Sequence, residues 1–470
     1  MDKRIKLFLE NFIFFGGLSM LKKALPFITL PIITRMLPDA YDYGIVDMSN
    51  LIIRFGSAIA MLGVYDALFR EVFEDKENIS YKKKVISTGM GIVLMSCFLV
   101  CLVTFLLREK LGFYLFENLK FSKLILIVII GIFLSPINTI LAAPTRIRNE
   151  RKVFFVTGLG FPIIGFITTF CFLKIGYKFE ALIYGIIIMN VISILTFYFL
   201  NKKDFDLKMF DKKIAKELLK IGIPLMPTFL IYWIFNSIDR IMIGKILGMN
   251  ELGIYSIGSR VASISQLIYT AFSGGWSYFS FSTMKEKDQV QVNSNIFEYL
   301  GVISFLAFLC SQPFIKPVFN IFFEGDYVKG NIVFSYLFLA PLMLMLFQVL
   351  ANQVIIIKKS YFSTISLFLG AILNFILNFI LIKNYGIRGA SFSTLMSYII
   401  SVLMISLICL KYRLLKLRFR FLLISGILFV GILFNFFRKD IIFIYTSVYV
   451  LTFILIFKFY IKDIKNLKKR

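Results

Sequence analysis

Lys22, Lys23, Arg54, Arg240 and Arg260 are cations set inside long apolar runs of this sequence, and Asp47, Asp66, Asp239 and Glu298 are carboxylates in similar settings. A lone charge at bilayer depth costs roughly 2.5–3.5 kcal/mol on insertion scales, so such residues mark a cavity, a partner or a pathway. Cations facing one another across a water-filled chamber attract anions and reject cations. Carboxylates at that depth could carry a coupling proton or sodium ion, a task that falls to Asp66, Asp239, Asp47 or Glu298 because the chain has no histidine. Lys22 and Lys23 are adjacent, roughly 100° apart around a helix, so one of the two points squarely into a cavity. Two structural readings stand beside this one. The lysines could pair with Asp47 or Asp66, and Asp239 with Arg240 could be a polar helix end near the interface.

The elements that must hold these residues are membrane helices. The chain has 470 residues, is 59% hydrophobic and has a mean hydropathy of +0.83, above the 45–50% apolar content of soluble domains. Its apolar runs approach the roughly 20 residues needed to cross the hydrocarbon core and lack the period-2 alternation of barrel strands. An all-α integral membrane protein follows, with about fourteen spans near 8–34, 44–69, 85–107, 122–144, 153–173, 180–200, 218–246, 253–281, 296–321, 333–357, 361–382, 389–410, 419–437 and 441–461.

The net charge of +26 lies mostly in loops and helix ends, which suits an anionic membrane surface rather than nucleic acid. With the N-terminus inside, those segments carry 33 Lys/Arg on the cytoplasmic side against 15 on the other, so both termini are expected in the cytoplasm. The five cysteines fall inside apolar runs and read as packing residues. The first run is too long for a cleavable signal peptide. No GxxxxGK[ST] phosphate loop, His-based metal site or Ser-His-Asp set is present, so the expected activity is transport without a cofactor, driven by a gradient or by the membrane potential.

Two stretches repeat. IITRMLPDAYDYGI (residues 32–45) and MIGKILGMNELGI (242–254) align Arg35 with Lys245, Leu37 with Leu247 and Gly44 with Gly253. Six spans per half keep both halves in the same orientation. The expected architecture is an N-lobe (1–200, helices 1–6), a basic amphipathic linker (201–217), a C-lobe (218–410, helices 7–12), and helices 13–14 with a basic tail (411–470). A pseudo-two-fold axis along the membrane normal would relate the two six-helix lobes, with the path between them. Pro26 and Pro31 interrupt the first span, and Pro224 and Pro227 the seventh, as bent leading helices of a rocking transporter would require.

KIGIPLMPTFLIYWIFNSIDRIMIGKILGMNELGIYSIGSRVASI (220–264) closely resembles the seventh and eighth helices of the polysaccharide transporter family, the O-antigen and capsule repeat-unit flippases of the multidrug/oligosaccharidyl-lipid/polysaccharide exporter superfamily. The matching features are the Pro-Leu-x-Pro start, Asp239-Arg240, the Leu-Gly turn at 247–248 and Gly-Ile-Tyr at 253–255. ILNFILNFILIKNYGIRGASFSTLMSYI (372–399) resembles the family's helix 11–12 signature through Asn374, Asn378, Tyr385-Gly386 and Gly389-Ala390.

The resemblance implies a flippase in a bacterial inner membrane. Its cargo would be an undecaprenyl-pyrophosphate-linked oligosaccharide of O-antigen, capsule or exopolysaccharide, moved to the outer leaflet by alternating access through a cationic central cavity. Lys22, Lys23, Arg54, Arg240 and Arg260 are then the candidates for the anionic head group. Polysaccharide polymerase and chain-length regulator proteins are the implied partners, with membrane lipids around them. Many members have twelve spans; fourteen is similar to the branch that includes lipid II flippases, which keeps lipid II or another cell-wall precursor as an alternative cargo. A multidrug cation antiporter of the same superfamily should present acidic residues, and this set is net positive.

Overall fold

A computed structural model describes residues 24–74, 78–116, 121–437 and 442–467, together with residues 17 and 21. Lys22 and Lys23 lie outside the described residues. Helices account for every expected span, the first of them described from Ala24. They are α1 (Ala24–Met36), α2 (Ala40–Met61), α3 (Val64–Glu74), α4 (Ile79–Leu106), α5 (Arg108–Phe116), α6 (Ser122–Ile147), α7 (Arg151–Ile175) and α8 (Phe179–Asn201). They continue with α9 (Lys212–Ile246), α10 (Met249–Ala262), α11 (Ser265–Ser282), α12 (Gln289–Ser311), α13 (Ile315–Phe322), α14 (Asn331–Ile356), α15 (Tyr361–Lys411), α16 (Phe419–Phe437) and α17 (Ile442–Leu467).

Several spans are not single rods. The second is α2 followed by α3, parted where Leu62 and Gly63 take the left-handed backbone conformation. The eighth is α10 followed by α11. The eleventh and twelfth run together as α15 around Gly386, whose φ of 60° and ψ of −145° suit glycine alone. The connections after α4 and after α12 each carry a short helix, α5 and α13. The prolines Pro224 and Pro227 lie within α9, as Pro26 and Pro31 lie within α1.

The chain forms two compact units. One takes in Met1–Ile257 with Phe323–Tyr327, the other Gly258–Phe322 with Val328–Arg470. In the first unit, Val64, Leu68, Val85, Ile140 and Leu218 are among the fully buried residues of one apolar core. The basic linker is fixed to this unit: the Asp206 and Asp211 backbone N–H groups donate to Ser87 and Thr88, at 2.8 and 3.1 Å. Asp211 then caps α9, accepting from the Lys213 and Ile214 N–H groups at 2.7 and 3.2 Å. These two bonds hold its carboxyl below the usual range. Capped there, α9 begins six residues before the apolar run, and its first turn is built from lysines.

The repeat appears as a contact. A Cβ at Gly44 would collide with the Met249 carbonyl oxygen, and one at Gly253 with the Ala40 carbonyl oxygen. Each glycine thus packs against the residue four positions before its counterpart, the reciprocity that a local two-fold produces. Arg35 and Lys245, matched in the repeat, differ in their partners. Arg35 pairs with Glu324 at 3.2 Å, and the Lys245 ammonium lies 3.8 Å from the Tyr114 ring centre.

Gly44→Ala and Gly253→Ala are therefore expected to cost about 1–3 kcal/mol each by overpacking. Gly160→Ala in α7, where a Cβ meets nothing within 4 Å, should be neutral or stabilising. Thermal unfolding of the purified proteins in detergent checks the contrast.

Candidate functional site

Three residues beyond the glycine contact, the chain buries its charges. Asp47 on α2 is 2% exposed and accepts from Arg240 of α9, whose Nη1 lies 3.3 Å from both carboxylate oxygens. Ser256 of α10 donates to the same carboxylate at 2.7 Å. Asp47 and Ser256 are matched positions in the repeat, each three residues after its glycine. The close backbone approach at Gly44 and Gly253 is what lets so short a side chain as serine reach across. Asp239 is buried beside this pair, accepting from the hydroxyl of Tyr255, itself buried, and from the Arg240 backbone N–H.

Taking two charges from water costs several kcal/mol per ion, which mutual attraction offsets only when the remaining hydrogen bonds are also made. Here Ser256 adds a hydrogen bond to Asp47, and Tyr255 satisfies the neighbouring Asp239. The result is a charge pair that links the leading helices of the two repeats.

Asp47, Asp239 and Arg240 are thus brought together. Arg54 lies seven residues further along α2 and is exposed, as is Asp66 in the first turn of α3. Arg260 occupies the last turn of α10 in the second unit and is half-buried. Glu298 is in the second unit too, 3% exposed. Arg420 Nε donates to it at 2.8 Å, the Tyr460 hydroxyl donates at 2.7 Å, and Arg418 Nη1 lies 3.6 Å away. This carboxylate ties α16 and α17 to α12. Asn374 and Asn378 of α15 are fully buried one turn apart, joined by a 3.0 Å hydrogen bond.

Ser256, Arg418, Arg420 and Tyr460 were not singled out by the sequence, and Tyr255 entered only as part of the Gly-Ile-Tyr resemblance, with no site role. For Ser256 only the repeat offset from Asp47 signals a partner. The arginines sit in a basic loop that looks like any other membrane-surface segment.

Comparison with known proteins gives a consistent frame. A family model described as "Polysaccharide biosynthesis protein" matches residues 32–316, which contain α2 through α12. An uncharacterized membrane protein of Methanocaldococcus jannaschii is 27% identical over 226 residues, 46% of this chain and 44% of its own. The "Probable low-salt glycan biosynthesis flippase Agl15" of Haloferax volcanii is 22% identical over 275 residues, 57% of each chain. The chain spans about half the length of the curated relatives it matches.

Among solved structures, lipid II flippase MurJ in an inward closed conformation superposes with a TM-score of 0.68 at 19% identity, covering 97% of this chain and 99% of that one. An inward-facing multidrug resistance MATE family transporter of the MOP superfamily gives 0.65 at 13% identity, covering 83% and 94%. At these identities the likeness establishes the fold, which is that of the MurJ and MATE transporters.

Removing one partner of the buried pair leaves an uncompensated charge, so Asp47→Asn or Arg240→Gln alone should destabilise by about 3–5 kcal/mol. The double variant Asp47→Asn/Arg240→Gln should lose less than the sum, with a coupling of about 1 kcal/mol or more in a double-mutant cycle. Denaturant unfolding in detergent measures it; strict additivity would mean the two side chains are not coupled.

Proposed function

The chain belongs to the polysaccharide biosynthesis protein family, and on that premise we propose that it is a flippase for a lipid-linked oligosaccharide. The finer reading is an undecaprenyl-pyrophosphate carrier bearing an O-antigen, capsule or exopolysaccharide repeat unit, moved from the cytoplasmic to the outer leaflet of a bacterial inner membrane. The observation that carries the proposal is the buried Asp47–Arg240 pair joining α2 to α9. A purely structural interface between apolar helices gains little from a desolvated ion pair, whereas one that opens to water gains charges that can exchange partners.

In this reading 1–200 and 218–410 rock about the linker 201–217, with 411–470 appended to the second body. Lys22, Lys23, Arg54, Arg240 and Arg260 receive the pyrophosphate, lowering the cost of carrying an anion through low dielectric. Arg240 is held by Asp47 while α2 and α9 touch, and becomes free for cargo when they part. Tyr255 keeps Asp239 hydrogen-bonded, because both move with the second body, while Asp47 gives up Ser256 along with Arg240 and faces water. The polyprenyl tail stays in the hydrocarbon, so only the head group needs the polar path. A proton or sodium ion taken up at Asp47, Asp239 or Asp66 would compete with Arg240 and couple the parting to a gradient.

The test is outer-leaflet lipid-linked oligosaccharide, read with a membrane-impermeant lectin in a deletion strain carrying variant genes. Lys22→Ala/Lys23→Ala and Arg54→Gln should each cut the signal about tenfold or more, the effect of losing roughly 1.4 kcal/mol of head-group attraction. Normal export by these variants at normal membrane abundance would contradict the assignment.

A further inference from the structure

The transport reading leaves unused a cavity of about 310 Å³ in the second unit, walled by α12, α14, the second half of α15, and α16. An apolar cavity half that size, about 150 Å³, stays dry and takes up hydrocarbon. Its lining is hydrocarbon and aromatic apart from Ser406 and Ser425, and both hydroxyls are spent on their own helices, donating to the Val402 and Phe421 carbonyls at 2.7 and 2.8 Å. With both hydroxyl protons committed, the lining side chains offer a water molecule no donor.

The cavity has a built shape. Phe421 anchors α16 by seating its ring on Gly301 of α12, where any Cβ would collide with it. One turn on, Ser425 and Gly426 supply almost no bulk, and a Cβ at Gly426 would meet nothing within 4 Å. Leu403 and Leu422, 55% and 50% exposed, line the cavity and mark its side opening between α15 and α16. From Phe421 to Ile432 the lining of α16 runs about 16 Å along its axis. That is close to one leaflet, half of a hydrocarbon core about 30 Å thick.

One end is basic. Leu417, which lines the cavity, stands between Lys416 and Arg418 in the segment KYRLLKLRFR (411–420), which has five cations and no acid. Arg418 and Arg420 are engaged with Glu298, while Lys411, Arg413 and Lys416 are exposed in the segment that joins α15 to α16 and brings Leu417 to the cavity. We infer that this cavity is a binding site for one acyl chain of an anionic phospholipid, with its phosphate held by Lys411, Arg413 and Lys416. The lipid fills the seam beside α16 and completes its packing against α12, α14 and α15. It is distinct from the cargo, whose head group is assigned to Lys22, Lys23 and residues of α2, α9 and α10.

The experiment is native mass spectrometry of the delipidated full-length protein, titrated with phosphatidylglycerol or phosphatidylcholine of identical chains. One phosphatidylglycerol should be retained, and the triple variant Lys411→Gln/Arg413→Gln/Lys416→Gln should lose about fivefold in affinity for each cation removed, with phosphatidylcholine binding unchanged. Gly426→Phe, which grows into the empty space, should displace the lipid while the charge variant keeps an intact cavity. Equal binding of the two lipids by the unmodified protein would overturn the inference. So would undiminished phosphatidylglycerol binding by folded Gly426→Phe, or displacement of phosphatidylglycerol by equimolar undecaprenyl phosphate, which would assign the cavity to the carrier tail.

Discussion

A carboxylate and a guanidinium that meet inside a membrane protein must satisfy each other, because neither water nor lipid will do it. Asp47 and Arg240 meet that condition across α2 and α9, 193 residues apart in the chain. Much of the first unit's geometry serves their meeting. Gly44 and Gly253 remove the side chains that would keep α2 and α10 apart. Ser256 supplies a hydrogen bond to Asp47 that the ion pair alone leaves unmade, and Tyr255 does the same for Asp239 beside it. Tyr327 fixes the turn before α2, its hydroxyl donating to the Leu37 and Asp39 carbonyls at 2.7 and 3.0 Å.

The two buried carboxylate clusters differ in a way that matters for motion. Glu298 faces two guanidiniums and a tyrosine hydroxyl, and losing one donor leaves it still bonded. Such a cluster suits a permanent clamp on α16 and α17. Asp47 has one guanidinium, with the hydroxyl of Ser256 beside it. Its attraction to Arg240 is strong only while the site is dry, and falls steeply once water raises the local dielectric. A contact with that property is stable when closed and cheap to keep open, which is what a helix pair that parts and rejoins needs.

The apolar runs located the helices because spans near 20 residues separated by basic loops leave few alternatives. The repeat of Gly44 in Gly253 was also readable, and the structure turns it into a reciprocal backbone contact. The breaks within the second and eighth spans were hidden. AMLGVYDA carries a single glycine and RVASISQL only small or polar residues between its apolar ones, and neither is a strong breaking signal inside a long run. The short helix α5 was missed because its connecting segment is mixed in polarity, and α13 was merged into the expected ninth span, 296–321, which the structure breaks at Gln312–Phe314. Asp47, Asp239, Arg240 and Glu298 were conspicuous as charges in apolar runs, but nothing in the sequence paired Asp47 with Arg240. The partners of Glu298 were hidden altogether, since Arg420 lies 122 residues beyond it and no local pattern joins them.

The claim at the centre of this account is that α2 and α9 separate during transport. Met48 and Gly244 lie against each other one turn from the ion pair, the Met48 Cε being 2.7 Å from where a Gly244 Cβ would stand. In a background lacking Cys97, Cys101, Cys171, Cys310 and Cys409, the pair Met48→Cys/Gly244→Cys can be bridged by a short bis-methanethiosulfonate, which forms a disulfide with each thiol and is released by reduction. Export of lipid-linked oligosaccharide should stop when the bridge forms and recover on reduction. Undiminished export by fully bridged protein would show that the two helices stay together, and the account would fail.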